Sequence, residues 1–467
     1  MEDTPALHLS PSVIATWLAS LAKRLRIVFM NVFSAVRRIA LDAHHRTIVL
    51  IWAFWAIALI SFQAISVERV RLERPDYAVS WSEGETDANN NADKPYLSDP
   101  FMNQQVAWDS EYYLGIAVGG YDDPLAGTAT DPDTGKEIPR NYSFFPGYPA
   151  LINLLAWPLY IFNITAIARA TLAGIIITLL GTLAGMFALD YLVRRGYAKA
   201  KQRSEEATST AIRAMTYLLV FPGALFFAQV YSEGLFVGTA FGAIALAYRG
   251  RWGLAALLAG LATLTRAHGV LTVIPLVIIW WTSGGPAELK LLASGKRATA
   301  LRARLIALLP LFAILLPIVV HLLWRTSALG EGWARLQDFY FGRGYLRVPE
   351  TIGSWIVGGL YAFTHGHEAL VTFLLDRAAI FLALAASIAL LRRREWAVGA
   401  FSLALVIASG LSGDHQSTIR YMAVVPALPI WLAGIGRRAW FDRVWTIGCV
   451  LLLGLLALLF SRDFWVA

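Results

Sequence analysis

Leu264-Thr265-Arg266-Ala267-His268-Gly269-Val270 interrupts an otherwise apolar run that extends from residue 253 to residue 281. Read as one straight crossing, that run would set a guanidinium near the centre of a bilayer, at a cost of about 2.5–3.5 kcal/mol or more. It would also carry Lys290, Lys296, Arg297, Arg302 and Arg304 outside, against the bias of Lys and Arg for cytoplasmic loops. Two short helices that turn at Thr265–Gly269 remove both difficulties. The turn then points Arg266 and His268 into a cavity open to the outer side, where broken helices are tolerated because they line protein rather than lipid.

The remainder of the 467-residue chain fits this setting. It is 57% hydrophobic and only 15% charged, and apolar runs of roughly 17 to 25 residues recur, the length a helix needs to cross the hydrocarbon core. The fold class read from this is an all-α polytopic membrane protein. The net charge of +8 would admit a nucleic-acid partner, but the basic residues sit in short segments beside the spans and form no separate domain, so none is expected. The single Cys449 lies inside an apolar run, which excludes disulfides and cysteine metal sites. The N-terminus lacks the charged-then-apolar layout and small-residue cleavage site of a signal peptide.

Outward from the central turn, the charges set the topology. Residues 1–46 mix Trp17, Leu18, Leu21 and Phe29 with Lys23, Arg24, Arg26, Arg37 and Arg38. This reads either as an amphipathic segment on the cytoplasmic surface or as a basic leader for the first span, 47–66. A long outer loop, 67–164, follows. Spans two to six occupy 165–304, and spans seven to eleven occupy 305–467, with an aromatic, Gly- and Arg-rich outer loop at 325–367. The total is about eleven spans, with the N-terminus inside and the C-terminus outside. Within the first outer loop, 99–118 reads as an amphipathic helix capped by Ser98 or Asp99. Residues 121–140 read as a mobile, turn-rich insertion, and 149–162 as an interfacial helix. There is no internal repeat.

Topology also gathers the ionisable residues. Asp109 and Glu111 (within Trp108-Asp109-Ser110-Glu111-Tyr112-Tyr113), Glu233 beside Tyr231, Arg266 and His268, and Asp414, His415 and Arg420 all fall on one membrane face. Ionisable groups that converge at a membrane boundary are candidates for function.

The pattern Trp108-Asp109-x-x-Tyr112-Tyr113, then Gly120-Tyr121, then Phe144-Phe145-Pro146-Gly147-Tyr148-Pro149 resembles the first outer loop of PIG-V-type mannosyltransferases, of the GT-C class of integral-membrane glycosyltransferases. Phe221-Pro222, Tyr231-Ser232-Glu233, Thr265-Arg266-x-x-Gly269 and Arg420-Tyr421 with Pro426 extend the resemblance over roughly residues 100 to 430. It implies a GT-C-like helix arrangement with interfacial helices in the first outer loop. It also implies a polyprenyl-phosphate-mannose donor and a lipid or glycan acceptor hydroxyl. Asp109 matches the family's catalytic base.

Chemistry assigns the other roles. The leaving group is a lipid phosphate, which needs charge stabilisation more than a proton. Arg266 is the expected phosphate ligand, assisted by His268 or Arg420. Glu111, Tyr112, Tyr148, Tyr231, Glu233, Asp414 and His415 are candidate substrate contacts, with Phe145 a further aromatic for a sugar face. No cofactor or metal is expected, although an Asp109/Glu111 pair could hold a divalent ion. Plainer readings stand beside these: Asp109 as a helix cap, Glu233 as a turn residue, Arg266 snorkelling to headgroups, His268 as packing, and Asp414 and His415 as a solvated turn. The functional alternatives are a GT-C transferase of another sugar, a lipid-linked-sugar flippase or transporter, and a silent partner of another transferase. The bilayer itself and a further subunit are possible partners. The expected location is the plasma (inner) membrane with the active site on the outer face.

Overall fold

The computed structural model describes residues 42–69, 101–124, 127–199, 204–293, 301–365, 367–413, 417–462, 464 and 466. Most of the basic N-terminal segment therefore lies outside the described residues, as do Ser98, Asp99, Asp414 and His415. The chain divides into two units, 1–53 and 54–467. Of the first, residues 42–53 are described. They hold the opening turns of helix α1 (Ala43–Arg69), where the Asp42 carboxylate accepts from the His44 amide at 2.8 Å, the usual remedy for unsatisfied amides at a helix start.

The second unit is built almost wholly of helices. In chain order they are α2 (Asp109–Val118), α3 (Gly147–Ala156), α4 (Ala166–Lys199), α5 (Ser204–Val220), α6 (Glu233–Tyr248), α7 (Trp252–Thr265), α8 (Val273–Thr282) and α9 (Gly285–Ala293). They continue with α10 (Leu301–Arg325), α11 (Ala328–Arg335), α12 (Val348–His365), α13 (His367–Arg392), α14 (Trp396–Gly410), α15 (Thr418–Ala423), α16 (Ala427–Ile435) and α17 (Ala439–Phe460). Among the described residues, α1, α4, α10, α13 and α17 are long and apolar enough to cross a membrane, and α3, α6, α7, α8 and α14 are shorter apolar helices. Large apolar side chains such as Phe312, Leu315, Leu323, Leu451 and Leu455 are exposed on the long helices, as expected where lipid rather than water is the solvent. The protein is a polytopic membrane protein.

The interrupted run behaves as its sequence requires. Helix α7 stops at Thr265, Arg266 is extended (φ −153°, ψ 150°), and a 3-10 turn, Ala267–Thr272, leads into α8. Gly269 permits this reversal, because a Cβ there would lie 2.2 Å from the Ala262 carbonyl carbon and oxygen. A comparable contact locks α6 to α4, where a Cβ on Gly234 would meet the Thr178 carbonyl oxygen at 2.3 Å. Small residues give membrane helices this close approach, and here it fixes the first turn of α6, which carries Glu233.

Several expectations are corrected. The helix read from 99 to 118 begins only at Asp109. Residues Asn103–Gln105 form a separate 3-10 turn, and Trp108 breaks the helix with φ 58°, ψ −115°. That conformation is strained for a bulky side chain; burial of the indole and an Nε1–H bond to the Phe464 carbonyl (3.3 Å) hold it. Residues 121–140 are not a loose insertion throughout. Thr128–Thr130 (β1) pairs antiparallel with Glu137–Pro139 (β2). Arg335 on α11 pins the hairpin through Asp131 (3.3 Å) and Asp133 (3.1 Å). The loop read at 325–367 contains α11 and α12. The exposed apolar residues of α12 (Ile352, Ile356, Leu360, Phe363) recur at helical spacing, a period masked in the sequence by Gly353, Gly358 and Gly359. The expected single span 421–436 is two short helices, α15 and α16, separated at Val424–Pro426, where Pro426 cannot continue α15.

Candidate active site

Two packing devices hold Asp109 in place. One face of α2 buries Tyr113, Leu114 and Ala117 against Tyr148 and Ile152 of α3, Ala170 and Ala173 of α4, and Val230. Each large side chain buried there contributes roughly 1.5–3 kcal/mol. Just before α2, an amide cluster ties the 3-10 turn to the Gln229–Tyr231 turn. Gln229 and Gln105 both donate to Gln63 Oε1 (3.0 and 3.3 Å), and the Val230 amide donates to the Gln105 carbonyl (3.1 Å). The Tyr231 hydroxyl donates to the Ala107 carbonyl (3.1 Å). The strained Trp108 thus hands over to Asp109 between two fixed points.

Asp109 faces a cavity of about 250 Å³ lined also by Tyr113, Phe144, Phe145, Arg266, His268, Trp333, Arg343, Ser409, Arg420 and Tyr421. An ionic network runs along its wall. Arg420 donates through Nη1 to Asp109 Oδ2 at 2.5 Å and lies with Nε 3.3 Å from Glu233 Oε1. Arg266 donates through Nη1 to the same Glu233 oxygen and to Ser232 Oγ (3.1 Å). Glu233 is fully buried in the first turn of α6, where the helix dipole favours a carboxylate. It braces both arginines from behind and does not line the cavity. The side chains of Asp109 and Arg266 remain 17% and 10% exposed, which leaves both within reach of a ligand.

Arg420 sits on α15, and that short helix is itself anchored. The Ile419 amide donates at 2.6 Å to Asp376, a buried carboxylate on α13. Ser417, just before the helix, takes a left-handed conformation (φ 64°). Opposite α15, residues 343–347 pair with 411–413. The Gly344 amide donates to the Ser412 carbonyl and the Arg347 amide to the Leu411 carbonyl, both at 2.8 Å. This backbone pairing brings Arg343 to Tyr421, whose hydroxyl accepts from Arg343 Nη1 at 2.7 Å.

The candidate residues separate clearly. Asp109, Arg266, His268 and Arg420 come together around one cavity, with His268 Nε2 3.1 Å from Ser409 Oγ. Tyr148 and Tyr231 are buried behind the wall: the Tyr148 hydroxyl donates to the Gly174 carbonyl (3.0 Å), and the Tyr231 ring lies under Arg420. Tyr112 stacks on Phe144 (5.0 Å), and neither it nor Glu111 lines the cavity. Phe145, which does, packs against Trp324 and Trp333 (5.3 and 5.4 Å). Arg343, Tyr421, Ser409 and Trp333 were not singled out by sequence. Only Tyr421 carried a signal, its place beside Arg420 in the motif. Among the described residues no group of three or more His, Cys, Asp or Glu gathers.

The arrangement is a carboxylate held by one arginine, with further guanidinium groups lining the same cavity. It can take a proton and stabilise an anion within one site.

By fold the chain is similar to the oligosaccharyltransferase of Archaeoglobus fulgidus solved with Zn and sulfate (16% identity, 88% of this chain and 53% of that one, TM-score 0.39). It is also similar to the archaeal oligosaccharyltransferase AglB of the same organism, solved with an inhibitory peptide and a dolichol-phosphate (14% identity, 88% and 55%, TM-score 0.36). The chain spans about half the length of these structures. No curated protein matches it by sequence. The family model of the PIG-V mannosyltransferases matches residues 49–406. The chain therefore belongs to the PIG-V mannosyltransferase family, a family of membrane glycosyltransferases.

Proposed function

We propose that the protein transfers a mannosyl group from a polyprenyl-phosphate donor to the hydroxyl of a lipid or glycan acceptor, on the outer face of the plasma membrane. The observation that carries this reading is the placement of Asp109 and Arg266 on one cavity, each held by a separate buried contact. Asp109 takes the acceptor proton as the acceptor oxygen attacks the anomeric carbon. The bond from that carbon to the phosphate oxygen breaks, and its electron pair leaves with the lipid phosphate. Arg266 stabilises the leaving anion, while Arg420 fixes Asp109 and adds positive charge beside it. Attack from the face opposite the leaving group inverts the anomeric centre, by analogy with inverting sugar hydrolysis.

Guanidinium groups meet the leaving anion, so the reading assigns no step to a metal. The outer-face assignment rests on the distribution of Lys and Arg. A transporter would place its ionisable groups near the bilayer midplane between related halves; the sequence has no such halves, and the cavity instead pairs a base with a cationic clamp.

The test presents purified protein with polyprenyl-phosphate mannose, glucose or galactose, each labelled in the sugar, together with membrane lipids. Label passing into a lipid or glycan product from the mannosyl donor alone is the expected result. Transfer from another donor assigns a different sugar, and label retained in every donor removes the transferase reading.

A further inference from the structure

Tyr421 lines the cavity, and its hydroxyl has an unusual set of neighbours. Arg343 Nη1 lies 2.7 Å and Arg420 Nη2 3.1 Å from the phenolic oxygen. A guanidinium has donors and no acceptor, so both bonds run in one direction and the oxygen accepts them. The hydroxyl proton must therefore point elsewhere, and among the described residues the Tyr421 hydroxyl makes no other hydrogen bond. The ring is surrounded as well: the guanidinium carbons of Arg266, Arg343 and Arg420 lie 5.1, 5.5 and 5.0 Å from its centroid, and the His268 ring lies 5.8 Å away.

The charges make the same point. Arg420 is paired with Asp109 and Glu233, and Arg266 with Glu233. Arg343 brings a third guanidinium group to the same phenol. A hydroxyl polarised by two cationic donors, with its own proton turned away from both, is a strong donor to an incoming anion.

We infer that Tyr421 is a further catalytic residue, one that donates its hydroxyl proton in a hydrogen bond to a non-bridging oxygen of the leaving phosphate, with Arg343 and Arg420 polarising the phenol. The inference rests on the lipid-phosphate donor reading. No proton changes owner at Tyr421: the electron pair of the breaking bond goes to the phosphate, the acceptor proton goes to Asp109, and the Tyr421 bond shortens as charge builds on the departing group. A contact that strengthens in this way lowers the barrier more than it tightens binding of the donor.

Tyr421→Phe tests this, since it keeps the ring among its guanidinium neighbours and removes only the hydroxyl. The measurements are kcat and KM for polyprenyl-phosphate mannose, binding of geranylgeranyl phosphate to the purified protein, and the thermal unfolding midpoint. The expected result is a loss on the order of 10²-fold in kcat, as when one donor to a developing oxyanion is removed. Geranylgeranyl phosphate should bind at least several-fold more weakly, with an unchanged unfolding midpoint. Arg343→Gln, in a loop outside the helices, should reproduce part of the kcat loss by removing one polarising donor. Tyr421→Phe with the kcat and geranylgeranyl phosphate affinity of the unmutated protein overturns the inference while leaving the mannosyl-transfer reading intact. If the unmutated protein fails to transfer mannose, that reading falls by itself. Geranylgeranyl phosphate binding then decides Tyr421: equal affinity of the two proteins overturns its role, and loss in the variant upholds it as an anion ligand.

Discussion

Glu233→Gln changes one charge at a side chain with no solvent exposure and leaves its size nearly unchanged. In the native site, Glu233 Oε1 receives Arg266 Nη1 and lies 3.3 Å from Arg420 Nε. Opposite unit charges at this separation attract by about 5 kcal/mol at an effective dielectric constant of 20. The amide retains a carbonyl oxygen for one or both donors, so part of that attraction survives as neutral hydrogen bonding. Removing one partner of a buried pair costs about 3–5 kcal/mol, and the lower end applies to this conservative change. Arg420 would then keep Asp109 as its carboxylate partner. Arg266, whose other side-chain hydrogen bond among the described residues is to Ser232, would lose its hold on the cavity wall. Each 1.36 kcal/mol in the barrier is tenfold in rate, so a loss of about 10²-fold in kcat is expected. Initial rates of mannosyl transfer across a range of donor concentrations, beside thermal unfolding in the same detergent, separate loss of catalysis from loss of fold. A folded Glu233→Gln protein with the original kcat/KM would refute the bracing role.

Two further outcomes test the frame around the site. Gly269→Ala would drive a Cβ into the Ala262 carbonyl at 2.2 Å; overpacking of this kind costs at least about 1–3 kcal/mol, so a lower unfolding midpoint and lost transfer are expected, and an unchanged midpoint would contradict the tight reversal at Arg266. In the hairpin, hydrogen bonds from Thr128 and Thr130 hold the Glu137 carboxyl below its ordinary value of 4.5. A carboxyl depressed in the folded state stabilises above its unfolded value and loses that contribution as pH falls through the folded one, so hydrogen exchange at the 128–139 amides, corrected for intrinsic rate, should accelerate below about pH 4.5 and should not do so in Glu137→Gln.

Much of the site could be read from sequence because membrane physics constrains it. Arg266 could not sit in a straight span, so the chain had to turn there, and the turn exists with Gly269 where backbones touch. The distribution of Lys and Arg puts Asp109, Glu233 and Arg420 on one face as an expectation from sequence. What the sequence withheld depends on tertiary contact. Glu233 looks like a substrate ligand until its complete burial behind two arginines is seen. Arg343 has no spacing relation to Tyr421; backbone pairing of residues 343–347 with 411–413 brings them together. The 128–139 hairpin carries Asp, Pro and Gly turn signals that read as loop, and its order comes from Arg335, some two hundred residues away. Trp108 shows no local sign of strain, because the contacts that impose it come from the distant Phe464 carbonyl and the surrounding core.

The central claim is that Asp109 is the base in a displacement whose leaving anion is met by guanidinium groups. The most direct measurement is transfer from radiolabelled polyprenyl-phosphate mannose into endogenous lipids by purified protein beside Asp109→Asn, each with and without EDTA. The account predicts a loss of about 10²–10⁴-fold in the variant, the range for a general base, and rates unaffected by EDTA. Equal transfer by Asp109→Asn would remove Asp109 from the chemistry, and transfer abolished by EDTA would contradict a displacement that relies on Arg266 and its neighbours alone.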